Sequence, residues 1–278
     1  VNNLPTIQEN ISTWNNPATW DSFDRGDAWS SSWGNPNNQW LRVVLPRIQR
    51  YVPAGRILEI APGFGRWTHY LKELCKELIV VDLNELCIQK CKERFPTDTH
   101  IDYYVNDGKS LSMVPDGSID FAFSFDSLVH AEADVIDAYL TQLAKKLKPD
   151  GVAWLHHSNV GSYRRLFLDR RNFHALSYGF TKLFGFQSHF RSWSMNAEGF
   201  EKLANNAGLA TISQELINWE TKPRYLIDCI SVCTPKSSVW ARTNCKLRNR
   251  RFMDDAAYSS GLNLLYGKPQ LHAKSVKV

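Results

Sequence analysis

The chain has 278 residues, with 33 Lys and Arg against 28 Asp and Glu, so its net charge is +5. Apolar residues make up 43% and charged residues 22%, which excludes a disordered, collagen-like or disulfide-scaffold chain. No apolar run reaches the roughly 18 residues of a spanning helix. The start at Val1 has no basic segment followed by an apolar one, so neither a membrane partner nor a secretory signal is expected.

The charge is uneven. From Lys236 onward nine Lys and Arg face Asp254 and Asp255, a local +7 that leaves −2 for the rest. A near-neutral body argues against a large phosphate-binding face, and so against nucleic acid as a partner. The cysteines Cys75, Cys87, Cys91, Cys229, Cys233 and Cys245 include no Cys-x-x-Cys pair. They read as buried, reduced thiols of a cytoplasmic protein.

Residues 1–37 are polar and rich in Trp, Asn, Ser and Gly, and the stretch 26–34 reads as no regular element. Six of the ten tryptophans lie in the first 67 residues. They suit an arm that packs on the body, a lid over a pocket, or both. A helical pattern runs from Asn38 to Arg50. Strands are then expected over 56–60, 78–82, 101–105, 119–125 and 152–157, with helices over 64–76, 85–95 and 131–147 between them. This alternation predicts an α/β fold, a doubly wound, mostly parallel sheet.

Residues 158–194 break the rhythm after the fifth strand, where open α/β sheets bind ligands. They hold Arg164, Arg165, Arg170, Arg171, His174, His189 and Arg191, with Tyr163, Phe167, Phe173, Tyr178, Phe180 and Trp193. A helix over 196–206 stops at Gly208. Segments 209–219 and 224–232 read as a closing antiparallel pair. The tail after Pro235 has a helical middle and no evident core contribution.

The chemistry concentrates at strand ends. Residues 57–67 read Ile-Leu-Glu-Ile-Ala-Pro-Gly-Phe-Gly-Arg-Trp, a buried strand running into a tight glycine turn. Gly63 and Gly65 allow close backbone approach and unusual dihedral angles. A dinucleotide loop would read G-x-G-x-x-G, but Ala61 stands at the first glycine position and no third glycine follows in register. Glu59 inside the strand end suits a cationic or hydroxyl-bearing ligand better than a pyrophosphate. Asp82 ends the second strand, where a carboxylate accepts both ribose hydroxyls of a nucleoside. Asn106-Asp107-Gly108 follows the third strand, and Phe123-Ser124-Phe125-Asp126-Ser127 ends the fourth.

Taken in this order, with the Lys148-Pro149-Asp150-Gly151 turn, these motifs resemble class I S-adenosylmethionine-dependent methyltransferases over about residues 40–235. The arm and the segment Gln39–Ile48 are most similar to bacterial sugar and natural-product O-methyltransferases. The resemblance implies a Rossmann-like seven-stranded sheet with an N-terminal arm and an insertion after the fifth strand. It divides the chain into an arm or lid (1–37), a cofactor-binding domain (38–235) with an acceptor-binding insertion (158–194), and a basic tail (236–278). It implies S-adenosylmethionine as cofactor. Glu59, Ala61, Gly63 and Gly65 would line its methionine side, with Trp67 in the same set. Asp82 and Leu83 would hold ribose and adenine. Asp107 and Gly108 would reach the adenine, and Phe125 would lie near the sulfonium. Ala61 departs from the family glycine, but its carbonyl would still face the ligand amine.

Methyl transfer to a hydroxyl benefits from a general base, and His is the natural one near neutral pH. The candidates are His130, His156 and His157, with Asp126 as a base or as the orienter of a His. Strand alternation points His156 and His157 to opposite faces, so at most one of them reaches the site. Asp126, His130 and His157 would also suit a metal, but with no clustered acid pair none is expected. The fourth strand end lacks the Asn/Asp-Pro-Pro-aromatic motif of nucleic-acid amino methylation. The expected acceptor is a small hydroxylated molecule, a sugar or natural product. N-methylation of a small amine and a non-catalytic scaffold are the alternatives.

Overall fold

The computed structural model describes residues 6–167 and 190–266. Eight strands form one sheet: β1 Ala54–Ile60, β2 Cys75–Asp82, β3 Ile101–Val105, β4 Ile119–Ser124, β5 Leu147–Ser158, β6 Leu209–Ile217, β7 Asp228–Pro235 and β8 Cys245–Arg248. Their order is β3-β2-β1-β4-β5-β7-β6-β8. The first five are parallel, β7 runs antiparallel to β5 and β6, and β8 lies parallel to β6.

Alternation along the inner strands explains why both faces are covered. Ile57, Leu78, Val80, Phe121, Phe123, Val152 and Trp154 point into one core cluster. Leu58, Ile60, Ile79, Val81, Ala122, Ala153 and Leu155 point into the other. A strand apolar on both sides must be buried on both sides. The second cluster is closed by α7 (Ala133–Lys146) and α9 (Ala197–Asn206), through Ile136, Leu140, Leu143, Phe200 and Ala204. The first is closed partly by Ile88 of α6 (Glu85–Arg94) and Leu71 of α5 (Thr68–Leu71). It also takes in α3 (Pro36–Gln39), the π-helical turn Trp40–Val44 and α4 (Leu45–Ile48). Pro46 accounts for the turn, because it lacks an N–H and crowds the carbonyl four residues back. The strand order reverses between the parallel neighbours β1 and β4, which opens a crevice above their C-terminal ends.

Several expectations are corrected. The helix expected over 64–76 shrinks to α5 and one 3₁₀ turn (Lys72–Leu74), since the glycine turn takes its first residues and β2 its last. The described part of the arm holds two helices: α1 (Ile7–Trp14) carries a Thr6–Glu9 capping box, and α2 (Pro17–Asp21) is capped by Asn16. A 3₁₀ segment, Asp24–Trp33, covers the stretch read as irregular, and it is kinked at Arg25 and Gly26. Cys245 is exposed and Cys75 half-buried, while the other four cysteines are buried; all six are free. Of the segment 158–194, the described part holds a 3₁₀ turn (Val160–Tyr163) and α8 (Arg164–Phe167). Arg170, Arg171, Phe173, His174, Tyr178, Phe180 and His189 lie outside the described residues. Among the described residues no helix is long and apolar enough to cross a membrane.

The sheet has eight strands rather than seven because the tail contributes one. All four residues of β8 are exposed, so its pattern reads as polar. Beyond it, Phe252, Met253 and Ala256 are buried ahead of and within α10 (Asp254–Tyr266). Phe252 packs edge-on against Trp219 at 5.4 Å and Trp33 at 6.2 Å, beneath the Arg47 guanidinium. Arg47 in turn forms a two-pronged ion pair with Glu215 of β6, at 2.7 and 2.8 Å. Phe252 of the tail and Trp33 of the arm are thus packed into one core cluster. Phe252→Ala should destabilise the whole fold by about 3–5 kcal/mol, read as a lowered midpoint in thermal or urea unfolding. An unchanged midpoint would show that the tail packs without contributing to stability.

Candidate active site

Three residues in five after β1 take left-handed backbone angles: Ala61 at φ 57°, Gly63 at 59° and Gly65 at 81°. Ala61 carries a side chain where glycine is preferred, at a cost of about 1–2 kcal/mol. Two hydrogen bonds hold it there. Its amide donates to Val81 O at 2.8 Å, and its carbonyl accepts the Ser127 hydroxyl at 2.7 Å. The carbonyl that sequence reasoning left for a ligand amine is therefore shared with Ser127. A Cβ at Gly63 would stand 2.5 Å from Trp20 Cη2, and one at Gly65 would stand 2.7 Å from the Phe95 ring. Both glycines are needed for close approach, but Gly65 serves packing against α6 and does not line the cleft.

Asp82 closes the adjacent strand end. Its Oδ1 accepts Asn84 N–H at 2.8 Å, and its Oδ2 accepts Gly63 N–H at 3.2 Å. Burial pushes its carboxyl up to about 6 despite these bonds. Leu83 and Gly108 (φ 84°) lie beside it, with Ile7 of the arm above Gly108. Asp107 does not join them. Its carboxylate turns back to the amides of Lys109 and Ser110, at 2.9 and 2.7 Å, as an exposed turn cap.

Asp126 follows β4 with φ 64°. Its amide donates to His156 Nδ1 at 3.0 Å, and its carboxylate pairs with Arg66 at 2.9 Å. Arg66 also donates to Ser30 of the arm at 3.2 Å and stacks between Trp67 and Trp29. Phe125 and Trp67 are buried against one another and lie beneath the cleft, not in its lining.

The three candidate histidines part company. His156 is wholly buried. Because its Nδ1 accepts the Asp126 amide, its proton resides on Nε2, which faces Asp228 at 3.3 Å. Asp228 also binds Arg191 twice, at 3.0 and 2.9 Å, and Trp219 Nε1 at 2.6 Å. Burial opposes its charge, but Arg191 and His156 hold the carboxyl far below its ordinary range. His157 faces the opposite side, stacked on Phe200 and bonded to Ser158 O and Ser231 Oγ. Burial pushes its imidazole down to about 4. Neither residue lines the cleft.

His130 does. It ends a 3₁₀ turn (Leu128–His130). Its Nδ1 lies 3.0 Å from Phe190 O. A carbonyl only accepts, so Nδ1 carries the proton and Nε2 keeps its lone pair. Burial and the Arg191 charge lower its pKa. The cleft therefore gathers Ala61, Gly63, Asp82, Leu83, Gly108, Asp126 and His130 of the predicted set. Trp14, Trp20 and Trp29 also line it. Sequence reasoning missed Ser127, Glu132 and Tyr139 in the lining and Arg66 behind it. The Arg66 signal was available in the glycine turn itself, since an arginine entering a buried helix needs an acid.

Residues 57–151 match the family described as methyltransferase domain, about a third of the chain. Solved structures align over more of it. A TehB-like S-adenosylmethionine-dependent methyltransferase from Corynebacterium glutamicum is 19% identical over 80% of this chain and 100% of its own, with a TM-score of 0.52. An S-adenosylmethionine-dependent methyltransferase from Clostridium acetobutylicum is 13% identical over 79% and 97%, with a TM-score of 0.54. The fold is that of S-adenosylmethionine-dependent methyltransferases. The N-methyltransferase NodS from Bradyrhizobium japonicum, solved with S-adenosylhomocysteine, is 17% identical over 82% and 96%, with a TM-score of 0.52. No curated protein matches the sequence.

Glu59 is buried below this turn and accepts the Thr68 hydroxyl at 2.5 Å. Burial pushes its carboxyl up to about 8, and Asp82 adds to the rise. Between its ordinary value near 4.5 and 8 the folded state holds a proton that the unfolded state has lost. Its contribution to stability therefore falls as pH rises through that window, by up to roughly 1.4 kcal/mol per unit. Glu59→Gln should remove this slope, gaining on the wild type from pH 5 to 8 in urea titrations. Parallel stability–pH curves for the two proteins would show Glu59 charged throughout.

Proposed function

We propose that this chain transfers a methyl group from S-adenosylmethionine to a hydroxyl of a small acceptor of sugar or natural-product type, with His130 as general base. The observation that carries the reading is the pairing, in one cleft, of a nucleoside-type carboxylate with a histidine whose Nε2 is held ready to accept a proton. The residues fit the cofactor. Asp82 stands at the second strand end with its carboxylate oriented by two backbone amides, and Gly63 and Gly108 line the cleft beside it with bare backbone. Asp82 would accept the ribose hydroxyls, Leu83 and Gly108 would flank the base, and Ala61 O would meet the methionine amine. Bound there, S-adenosylmethionine supplies an activated methyl group on a cationic sulfonium.

The remaining work falls to the chain. Alignment is the larger part of an in-line displacement, and the two walls, the arm and the turn after β4, supply it. His130 draws the acceptor proton to Nε2, while the Phe190 carbonyl steadies the imidazolium that forms. The arm excludes water as a lid. Six free thiols support a cytoplasmic location.

A second reading, N-methylation of a small amine, is favoured by the likeness to NodS. It needs no strong base, so His130→Ala would leave it largely intact.

Calorimetric titration with S-adenosylhomocysteine tests the cofactor assignment. Asp82→Ala should weaken binding by about tenfold or more, the loss of a charged hydrogen bond. Affinity should also fall below about pH 6 in the wild type, as Asp82 takes up a proton. An Asp82→Ala protein that binds as tightly as the wild type would remove Asp82 from the site. Once an acceptor is in hand, His130→Ala should lower kcat by roughly 10²–10⁴ for a hydroxyl.

A further inference from the structure

We propose that the acceptor carries a cationic amine beside its reacting hydroxyl, received by Glu132 and the wall of Trp14, Trp20 and Trp29; this rests on the methyl-transfer reading above. Glu132 occupies the N-cap position of α7, with extended backbone angles, yet its side chain makes no capping bond. The Ser194 hydroxyl does that work, accepting Ala133 N–H at 2.8 Å. The Glu132 carboxylate is released to the cleft it lines. Its Oε1 is buried and has no hydrogen-bond partner among the described residues. Burial raises its pKa, and Asp134 and Glu9 add to the rise, against Ser194 and Arg164.

A desolvated, unpaired carboxylate oxygen is costly unless a ligand meets it. The surroundings select which ligand. Among the described residues that line the cleft there is no Lys or Arg. Asp126 is already matched by Arg66, and Asp82 is bonded to two amides. Glu132, bonded to Ser194 but with Oε1 left unpartnered, is therefore the acid of the cleft still open to a cation. The same cleft is lined by three indoles with ring centroids 5.5, 5.6 and 5.7 Å apart, and Trp14 lies 5.8 Å from His130. Aromatic faces attract cations and do nothing comparable for anions. A phosphorylated or carboxylated acceptor would be repelled here. An ammonium would be paired on one side and stacked on the other.

The amine is a handle and is left unchanged by the reaction. The acceptor hydroxyl gives its proton to His130 Nε2 as the new O–C bond forms and the S–C bond breaks, leaving neutral S-adenosylhomocysteine. His130 lies two residues before Glu132 on the same turn, so hydroxyl and amine would engage one wall.

The test uses the full chain loaded with S-adenosylhomocysteine. Glucosamine and ethanolamine are titrated calorimetrically against their uncharged counterparts, glucose and ethylene glycol. At least one amine should bind about tenfold or more tightly than its counterpart. Glu132→Gln, checked for folding by its melting curve, should erase that preference and keep S-adenosylhomocysteine affinity within about twofold. Equal affinities within each pair, binding of neither amine, or a preference retained in Glu132→Gln would overturn the proposal. Lost S-adenosylhomocysteine affinity in Glu132→Gln would overturn it as well, by assigning the carboxylate to the cofactor. A wild type that binds no S-adenosylhomocysteine at all would instead overturn the methyl-transfer reading beneath it.

Discussion

The Arg66–Asp126 ion pair, 2.9 Å long and almost closed to water, ties together three pieces of chain that share no sequence neighbourhood. Arg66 comes from the glycine turn after β1, Asp126 from the end of β4, and Ser30 and Trp29 from the arm. Burial lowers the Arg66 pKa, and the Asp126 carboxylate opposes that shift and keeps the guanidinium paired. Removing one partner of such a pair leaves the other charged and dry, at about 3–5 kcal/mol. The pair also depends on a backbone that only a firm surrounding can hold, since Asp126 sits at φ 64°. The His156 ring supplies that surrounding by accepting the Asp126 amide, and Asp228 fixes the ring in turn. The buried histidine that sequence reading offered as a base is thus a support for the loop that carries the site.

This arrangement separates two roles that a sequence cannot separate. His130 follows β4, and His156 and His157 lie at the end of β5. What distinguishes them is the partner of each nitrogen. His156 spends Nδ1 on Asp126, and His157 spends both nitrogens on Ser158 and Ser231. His130 spends only Nδ1, on Phe190. Ser158 apart, these partners lie tens of residues away: Asp126 follows β4, Ser231 is on β7 and Phe190 precedes α9. No local pattern encodes them.

The strands were legible because their physics is local. Ile57–Ile60, Leu78–Val81 and Phe121–Phe125 are apolar on both sides, which already requires cover on both faces. Asp82 was legible for a similar reason, since a carboxylate at the end of such a strand has few structural uses. Asp107 was misjudged because an acid before glycine serves a turn as readily as a ligand, and here the Lys109 and Ser110 amides claim it. The tail was underestimated for a tertiary reason. Phe252 finds its neighbours Trp33 and Trp219 from opposite ends of the chain, and β8 is an edge strand with nothing buried to reveal it.

The cleft also concentrates features that work against stability. Ala61 and Asp126 hold left-handed angles without being glycine. Glu59 and Asp82 are buried acids on neighbouring strands, and Asp82 makes Glu59 harder to charge. Glu132 leaves an oxygen without a partner. Each is a local fault by the rules of packing, and the sheet elsewhere is apolar and regular. Faults gathered at one place, where the strand order of the parallel sheet reverses, mark that place as the candidate binding site. The sign of the faults carries information too. They are oxygens short of positive charge, enclosed by indole faces. A ligand that relieved them would bring cationic groups, as the sulfonium and amine of the proposed cofactor do, and as an amine-bearing acceptor would do at Glu132.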